Sequence, residues 1–197
     1  MGACYGPRFD DAVQLAVDAF REVRRKSTPT PYITHLFAVC AKVGEHGGDE
    51  DQLIAALLHD YLEDVEGASP ADLRERFGDR VTDMVVALSD SIGVREKQEW
   101  RARKEAYIEM VRREPNEVRL IAAADKWHNC TSTCGAVRRD GLAAFERFRG
   151  GLTGTLWYYR EMISALETGW SHPILDELRD VVGELHGLVE ALQEGQA

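Results

Sequence analysis

The chain is short of cysteine, of positive charge and of long apolar runs, and each shortage narrows what it can be. Its four cysteines, Cys4, Cys40, Cys130 and Cys134, include no Cys-x-x-Cys pair. They are expected as small side chains in a reducing compartment, with Cys130 and Cys134 able to share a helical face; a thiol ligand or redox switch is the competing use. Lys and Arg number 24 against 34 Asp and Glu, a net charge of −10, which argues against a nucleic-acid-binding surface and leaves an anionic substrate to a local site. Apolar stretches such as 53–58 fall far short of the ~20 residues that span a bilayer. The N-terminal decapeptide lacks the apolar core of a secretion signal. Met1-Gly2 with Cys4 hints at lipidation, but Gly6 stands where Ser or Thr is required. A cytoplasmic protein with no membrane partner is expected. There is no Pro/Ser-rich linker, repeat or low-complexity tract, and no long β-branched alternation. At 197 residues, 44% hydrophobic and 29% charged, one all-α globular domain, a helical bundle spanning 1–197, is expected. Nothing in the sequence fixes an oligomeric state.

What is present is helical periodicity. Val13, Leu15, Ala16, Phe20 and Val23 mark a first helix ending in Arg24-Arg25-Lys26. Ile33, Phe37, Ala38 and Ala41 place His35 on a second, stopped near Gly47-Gly48. A third is expected over about 50–65. Ser69-Pro70 opens a short helix to Phe77-Gly78, and Val81, Met84, Val85 and Leu88 form the next. Residues 97–112 read as a solvated helix with a thin apolar stripe. Pro115-Asn116 opens a helix whose run 120–124 leads into Asp125, and an amphipathic helix follows Pro173, about 173–192. Its stripe of Leu175, Leu178, Val182, Leu185, Val189 and Leu192 is expected on the chain's own core, a partner surface being the alternative.

The chemistry concentrates at the end of the third helix. Leu53-Ile-Ala-Ala-Leu-Leu58 is an ordinary buried run, yet it finishes in His59-Asp60-Tyr61-Leu62-Glu63-Asp64. Buried ionisable groups are costly unless paired or bound to metal. Residues three and four apart share a helical face, so Glu63 is expected over His59 and Asp60. Asp125 repeats the pattern of an apolar run closed by a carboxylate. With His35, these give two imidazoles and two carboxylates, a donor set for Mn²⁺ or Fe²⁺ rather than Ca²⁺. Glu63 then suits activation of a water, with Asp64 helping to position it.

Four segments carry a family likeness: Thr30-Pro-Tyr-Ile-Thr-His35, Ala55-Ala-Leu-Leu-His-Asp-x-x-Glu-Asp64, Arg76-Phe-Gly-x-x-Val81 and Ala124-Asp-Lys-Trp-His-Asn129. In this order they resemble the HD-domain hydrolases, above all the (p)ppGpp hydrolase half of the Rel/Spo alarmone family and its stand-alone small alarmone hydrolases. The resemblance implies Mn²⁺ held by His35, His59, Asp60 and Asp125, and a hydrolytic water activated by Glu63 and Asp64. It further implies Asn129 at the nucleotide and Arg24, Arg25 and Lys26 against the base. Trp157, Tyr158 and Tyr159 are expected mainly as core, with Tyr158 the candidate for substrate contact. The implied reaction removes the 3′-pyrophosphate of (p)ppGpp, as part of a stringent response. Leu36 where the family often has Pro, Tyr61 where it has a small residue, and Cys130-Thr131-Ser132 where it has Arg bear on the nucleotide pocket. They keep open another nucleotide (ppApp, NADPH or a nucleoside monophosphate), and a non-catalytic nucleotide-binding module is the other class of reading.

Overall fold

A computed structural model of the chain describes residues 5–26, 28–89 and 99–195. Met1, Gly2, Cys4 and the expected helix start at Lys97 lie outside the described residues. Among those described there is no strand, only one isolated antiparallel bridge between Arg24 and Pro31. The chain is all-α, in two compact units: residues 1–96 with 114–122, and residues 97–113 with 123–197.

The first unit holds α1 (Pro7–Ala19), α2 (Ile33–Glu45), α3 (Glu50–Leu58), α4 (Tyr61–Asp64), α5 (Pro70–Leu88) and the opening turns of α7 (Asn116–Asp140). Helix α3 packs on α1, α2 and α5. It can do so because Ile54–Leu58 are all fully buried, the pattern of a helix surrounded by others rather than lying on a surface. Each large side chain among them contributes roughly 1.5–3 kcal/mol by leaving water. Its start is fixed by a capping box in which Asp49 accepts from the Gln52 amide and the Gln52 side chain accepts from the Asp49 amide. The Gln52 amide group also donates to the Glu117 carbonyl at 3.3 Å, tying α3 to the beginning of α7.

Three element boundaries differ from the sequence pattern. Helix α1 stops at Ala19, four residues before Val23, because 23–32 fold back on themselves. The Arg25 amide donates to the Thr30 carbonyl at 2.8 Å, and that of Tyr32 to the Val23 carbonyl at 2.9 Å. The basic cluster is therefore in a loop, not at a helix end. The third helix ends at Leu58, and a separate turn, α4, follows. Helix α5 runs as one span, but Gly78 interrupts it with φ +83°, a left-handed conformation that costs a residue with a Cβ roughly 1–2 kcal/mol. The two expected helices meet there.

The second unit holds α6 (Trp100–Val111), the rest of α7, a 3₁₀ segment (Gly141–Arg147), α8 (Gly151–Leu166) and α9 (Pro173–Glu194). Helix α8 packs on α6, α9 and the 3₁₀ segment. The charged helix α6 is anchored by buried Tyr107, Ile108 and Val111. Added Cβ atoms on Gly150 and Gly154 would sit 2.5 and 3.0 Å from the Trp100 ring, so these two glycines serve close aromatic packing. Of the expected stripe, Leu175, Leu178, Val182, Leu185 and Val189 of α9 are buried, with Ile174 and Val181 beside them, and are core; Leu192 is half-buried. Cys40, Cys130 and Cys134 are buried free thiols. Burial raises Cys40 to about 11, which makes it an inert packing residue. Cys130 and Cys134 both approach the Val181 carbonyl, at 3.6 and 3.7 Å.

Candidate metal centre

His35 enters from the first turn of α2 and is 1% exposed, and His59 closes α3 at 4%. Asp60 follows at the break, with φ −96° and ψ 1°, the sparsely allowed region where active-site residues often sit. That break turns its carboxylate toward the imidazoles. Asp60 Oδ2 lies 3.0 Å from His59 Nε2 and 3.6 Å from His35 Nε2, and the two rings meet edge to face with centroids 5.1 Å apart.

The proton bookkeeping at His59 fits a cation. Its Nδ1 lies 2.8 Å from the Ala56 carbonyl oxygen, which can only accept, so Nδ1 carries a proton and Nε2 is the ligating nitrogen. Without a cation, favourable contacts would require protons on both Nε2 atoms around one carboxylate. A divalent ion replaces both. Burial works to raise the Asp60 carboxyl, but the His59 charge and the hydrogen bonds from His35 and His59 hold it well below the usual carboxylate range. It is thus an anionic donor whenever the imidazoles need one.

Glu63 and Asp64 lie on α4, whose amides donate to the Asp60 carbonyl at 3.3 and 3.0 Å. Buried Leu62 anchors that turn, while both acidic side chains are exposed. The interruption at Asp60 removes the continuous helix face that was expected to carry Glu63 over His59. Arg24 is exposed, its guanidinium donating to the Pro29 carbonyl at 2.6 Å, and Lys26 is exposed. Arg25 stands 5.4 Å from the Tyr32 ring centroid, and the Tyr32 hydroxyl donates to Asp60 Oδ2 at 2.6 Å.

In the second unit Asp125 is 7% exposed and both its oxygens have donors, Lys126 Nζ on Oδ2 and Asn129 Nδ2 on Oδ1, each at 2.5 Å. Burial works against the charge on Lys126, but the Asp125 carboxylate outweighs it and keeps the amine well above its ordinary value. Lys126 Nζ also lies 5.0 Å from the Tyr107 centroid and 5.8 Å from that of Tyr158, and Lys104 Nζ lies 5.1 Å from Tyr158. Tyr158 is half-buried and Tyr159 is core. His35, His59 and Asp60 thus gather in the first unit, with Arg25 one ring away, and Asp125, Asn129 and Tyr158 share one cluster in the second. Sequence reasoning assigned no role to Tyr32, Lys104 or Lys126. A lysine directly after a carboxylate at the end of an apolar run was the signal for the last.

Comparison with known proteins supplies the context. A family model described as HD domain matches residues 12–147. The bifunctional (p)ppGpp synthase/hydrolase SpoT of Escherichia coli is 36% identical over 137 residues, 68% of this chain and 19% of that protein, so the chain spans about a fifth of the bacterial relatives it matches. The Drosophila melanogaster guanosine-3′,5′-bis(diphosphate) 3′-pyrophosphohydrolase MESH1 is 36% identical over 125 residues, 62% of this chain and 67% of that one. Among solved structures, a metazoan ortholog of SpoT reported to hydrolyse ppGpp aligns with a TM-score of 0.73 at 26% identity, over 93% of this chain and 97% of its own. The protein lmo0812 of Listeria monocytogenes aligns with a TM-score of 0.68 at 31% identity, over 75% and 96%. The matched stretch carries His35, the His59-Asp60 pair and Asp125, and the chain belongs to the HD-domain family.

Proposed function

We propose that the chain is a Mn²⁺-dependent pyrophosphohydrolase that attacks the 3′-pyrophosphate of (p)ppGpp with water, giving GDP or GTP and pyrophosphate. The observation that carries this reading is the convergence of two buried imidazole nitrogens on Asp60 Oδ2, in a chain whose relatives include named (p)ppGpp hydrolases. Asp125 supplies the fourth donor in this reading. It closes the apolar run of a helix whose opening turns belong with His35 and His59 and whose remainder belongs with Asn129, and the HD match likewise draws on both units; on that ground we take them as one working domain.

His35, His59, Asp60 and Asp125 would hold a divalent cation, which would supply water of lowered pKa and polarise a phosphoryl oxygen. The chain's own residues do the rest. Glu63 takes the proton of the attacking water and Asp64 positions it; both side chains are exposed on α4 and open to solvent water. Lys126 and Asn129 hold the two oxygens of Asp125 in place. Arg24, Arg25 and Lys26 take the base and phosphates from a loop, and Asn129 with Tyr158 contact the nucleotide. The partner is a small nucleotide, and we assign it to the cytoplasm; among the described residues no helix is long and apolar enough to cross a membrane.

A substrate panel tests the choice of nucleotide. With Mn²⁺ present, ppGpp is expected to turn over faster than ppApp, NADPH or deoxynucleoside monophosphates. Faster turnover of one of the others, with ppGpp inert, would reassign the substrate and keep the hydrolase.

A further inference from the structure

We propose that Tyr32 is the positioning residue of the metal centre, its hydroxyl fixing Asp60 while its ring carries the contact with Arg25; this rests on Asp60 being a metal ligand. The two ends of the side chain do separable things. The hydroxyl donates to Asp60 Oδ2 at 2.6 Å, the same oxygen that both imidazoles approach. The ring stacks on Phe20 at 5.3 Å with planes 13° apart, meets His35 edge-on at 5.6 Å, and has the Arg25 guanidinium 5.4 Å from its centroid.

The backbone makes this placement stiff. The Tyr32 amide is held by the Val23 carbonyl, and its own carbonyl accepts from the His35 amide at 2.8 Å. The residue is thus locked to the basic loop on one side and to a ligand histidine on the other. The Asp60 backbone is held by the Glu63 and Asp64 amides, but those bonds do not fix its carboxylate. Asp60 heads the short helix α4 without capping it by its side chain, so its rotamer is set by what reaches it from elsewhere. A neutral phenol has one proton to give, and a carboxylate can only accept. The hydroxyl therefore holds Oδ2 without competing for the imidazole nitrogens, and outer partners of this kind typically govern metal affinity by roughly 10–100-fold.

Tyr32→Phe separates the two ends, because it keeps the ring and its stacking and deletes only the donor. Mn²⁺ affinity, measured by calorimetry on the metal-free full chain, is expected to weaken roughly 10–100-fold. The KM for nucleotide should stay unchanged, and activity lost at low Mn²⁺ should return at high Mn²⁺. His59→Ala is measured beside it and is expected to show no specific Mn²⁺ binding. If Tyr32→Phe binds Mn²⁺ as wild type does while His59→Ala does not, the role of Tyr32 is refuted and the metal centre stands. If His59→Ala also binds as wild type does, the centre itself is misassigned and this inference falls with it. Should Tyr32→Phe lower the melting temperature of the metal-free protein, the same change is made in an Asp60→Ala background. A melting-temperature effect acting through Asp60 disappears there, and one that persists in full overturns the proposal.

Discussion

Replacing Glu63 with Gln is expected to leave bound Mn²⁺ at the wild-type level while turnover falls roughly 10²–10⁴-fold. The amide keeps the shape of the side chain but cannot accept a proton from water. The position favours a clean result. Glu63 is exposed on the single turn of α4, while His35 and His59 are buried, so the substitution removes neither a proposed ligand nor a core side chain. Its effect on stability should lie within about ±0.5 kcal/mol, as for other exposed positions. Metal analysis, thermal melting and steady-state kinetics on one preparation decide the matter. Turnover near the wild-type rate, or loss of metal, would remove Glu63 from the role of general base.

Asp60→Ala should behave in the opposite way, losing metal and activity together. Both His35 and His59 approach the Asp60 carboxylate, at 3.6 and 3.0 Å. Its removal leaves the two buried imidazoles with one carboxylate fewer to offset a divalent charge. A ligand lost outright should cost more than the roughly 10–100-fold attached to outer partners, so Mn²⁺ retained through gel filtration by wild type should be absent from the variant. Because binding requires deprotonated ligands, wild-type metal content should also fall on acidification while that of Asp60→Ala stays low throughout. A variant that keeps its metal would show that the acidic donors lie elsewhere. Taken with Glu63→Gln, the pair separates holding the ion from moving the proton, which no single substitution can do.

The candidate site was legible in the sequence because it violates a local rule. An apolar run such as Leu53–Leu58 has no reason to end in His-Asp unless those groups are satisfied, and burial of Ile54–Leu58 and His59 shows that it is that kind of run. The α9 stripe and the stop at Gly78 were legible for similar reasons, one through its 3.6-residue period and the other through a residue tolerant of φ +83°. The break at Asp60 was not. Leu62 continues the apolar phase of α3, and periodicity alone cannot distinguish a continuous helix from two helical pieces that bury the same face. The end of α1 was hidden likewise, because Phe20 is in phase and buried although the helix has already stopped. Tyr32 on Asp60 and Lys104 on Tyr158 join residues 28 and 54 positions apart. No local pattern encodes contacts of that kind, since they follow from how the helices pack.

The central claim is a reaction, and its products test it most directly. Purified protein with Mn²⁺ and ppGpp is followed by ³¹P NMR together with chromatography of the nucleotide. The account predicts pyrophosphate and GDP released in equal amounts, with no orthophosphate formed before pyrophosphate. Orthophosphate as the first product would place the attack on a different phosphate, and a metal-loaded protein that binds ppGpp without ever cleaving it would contradict the account outright.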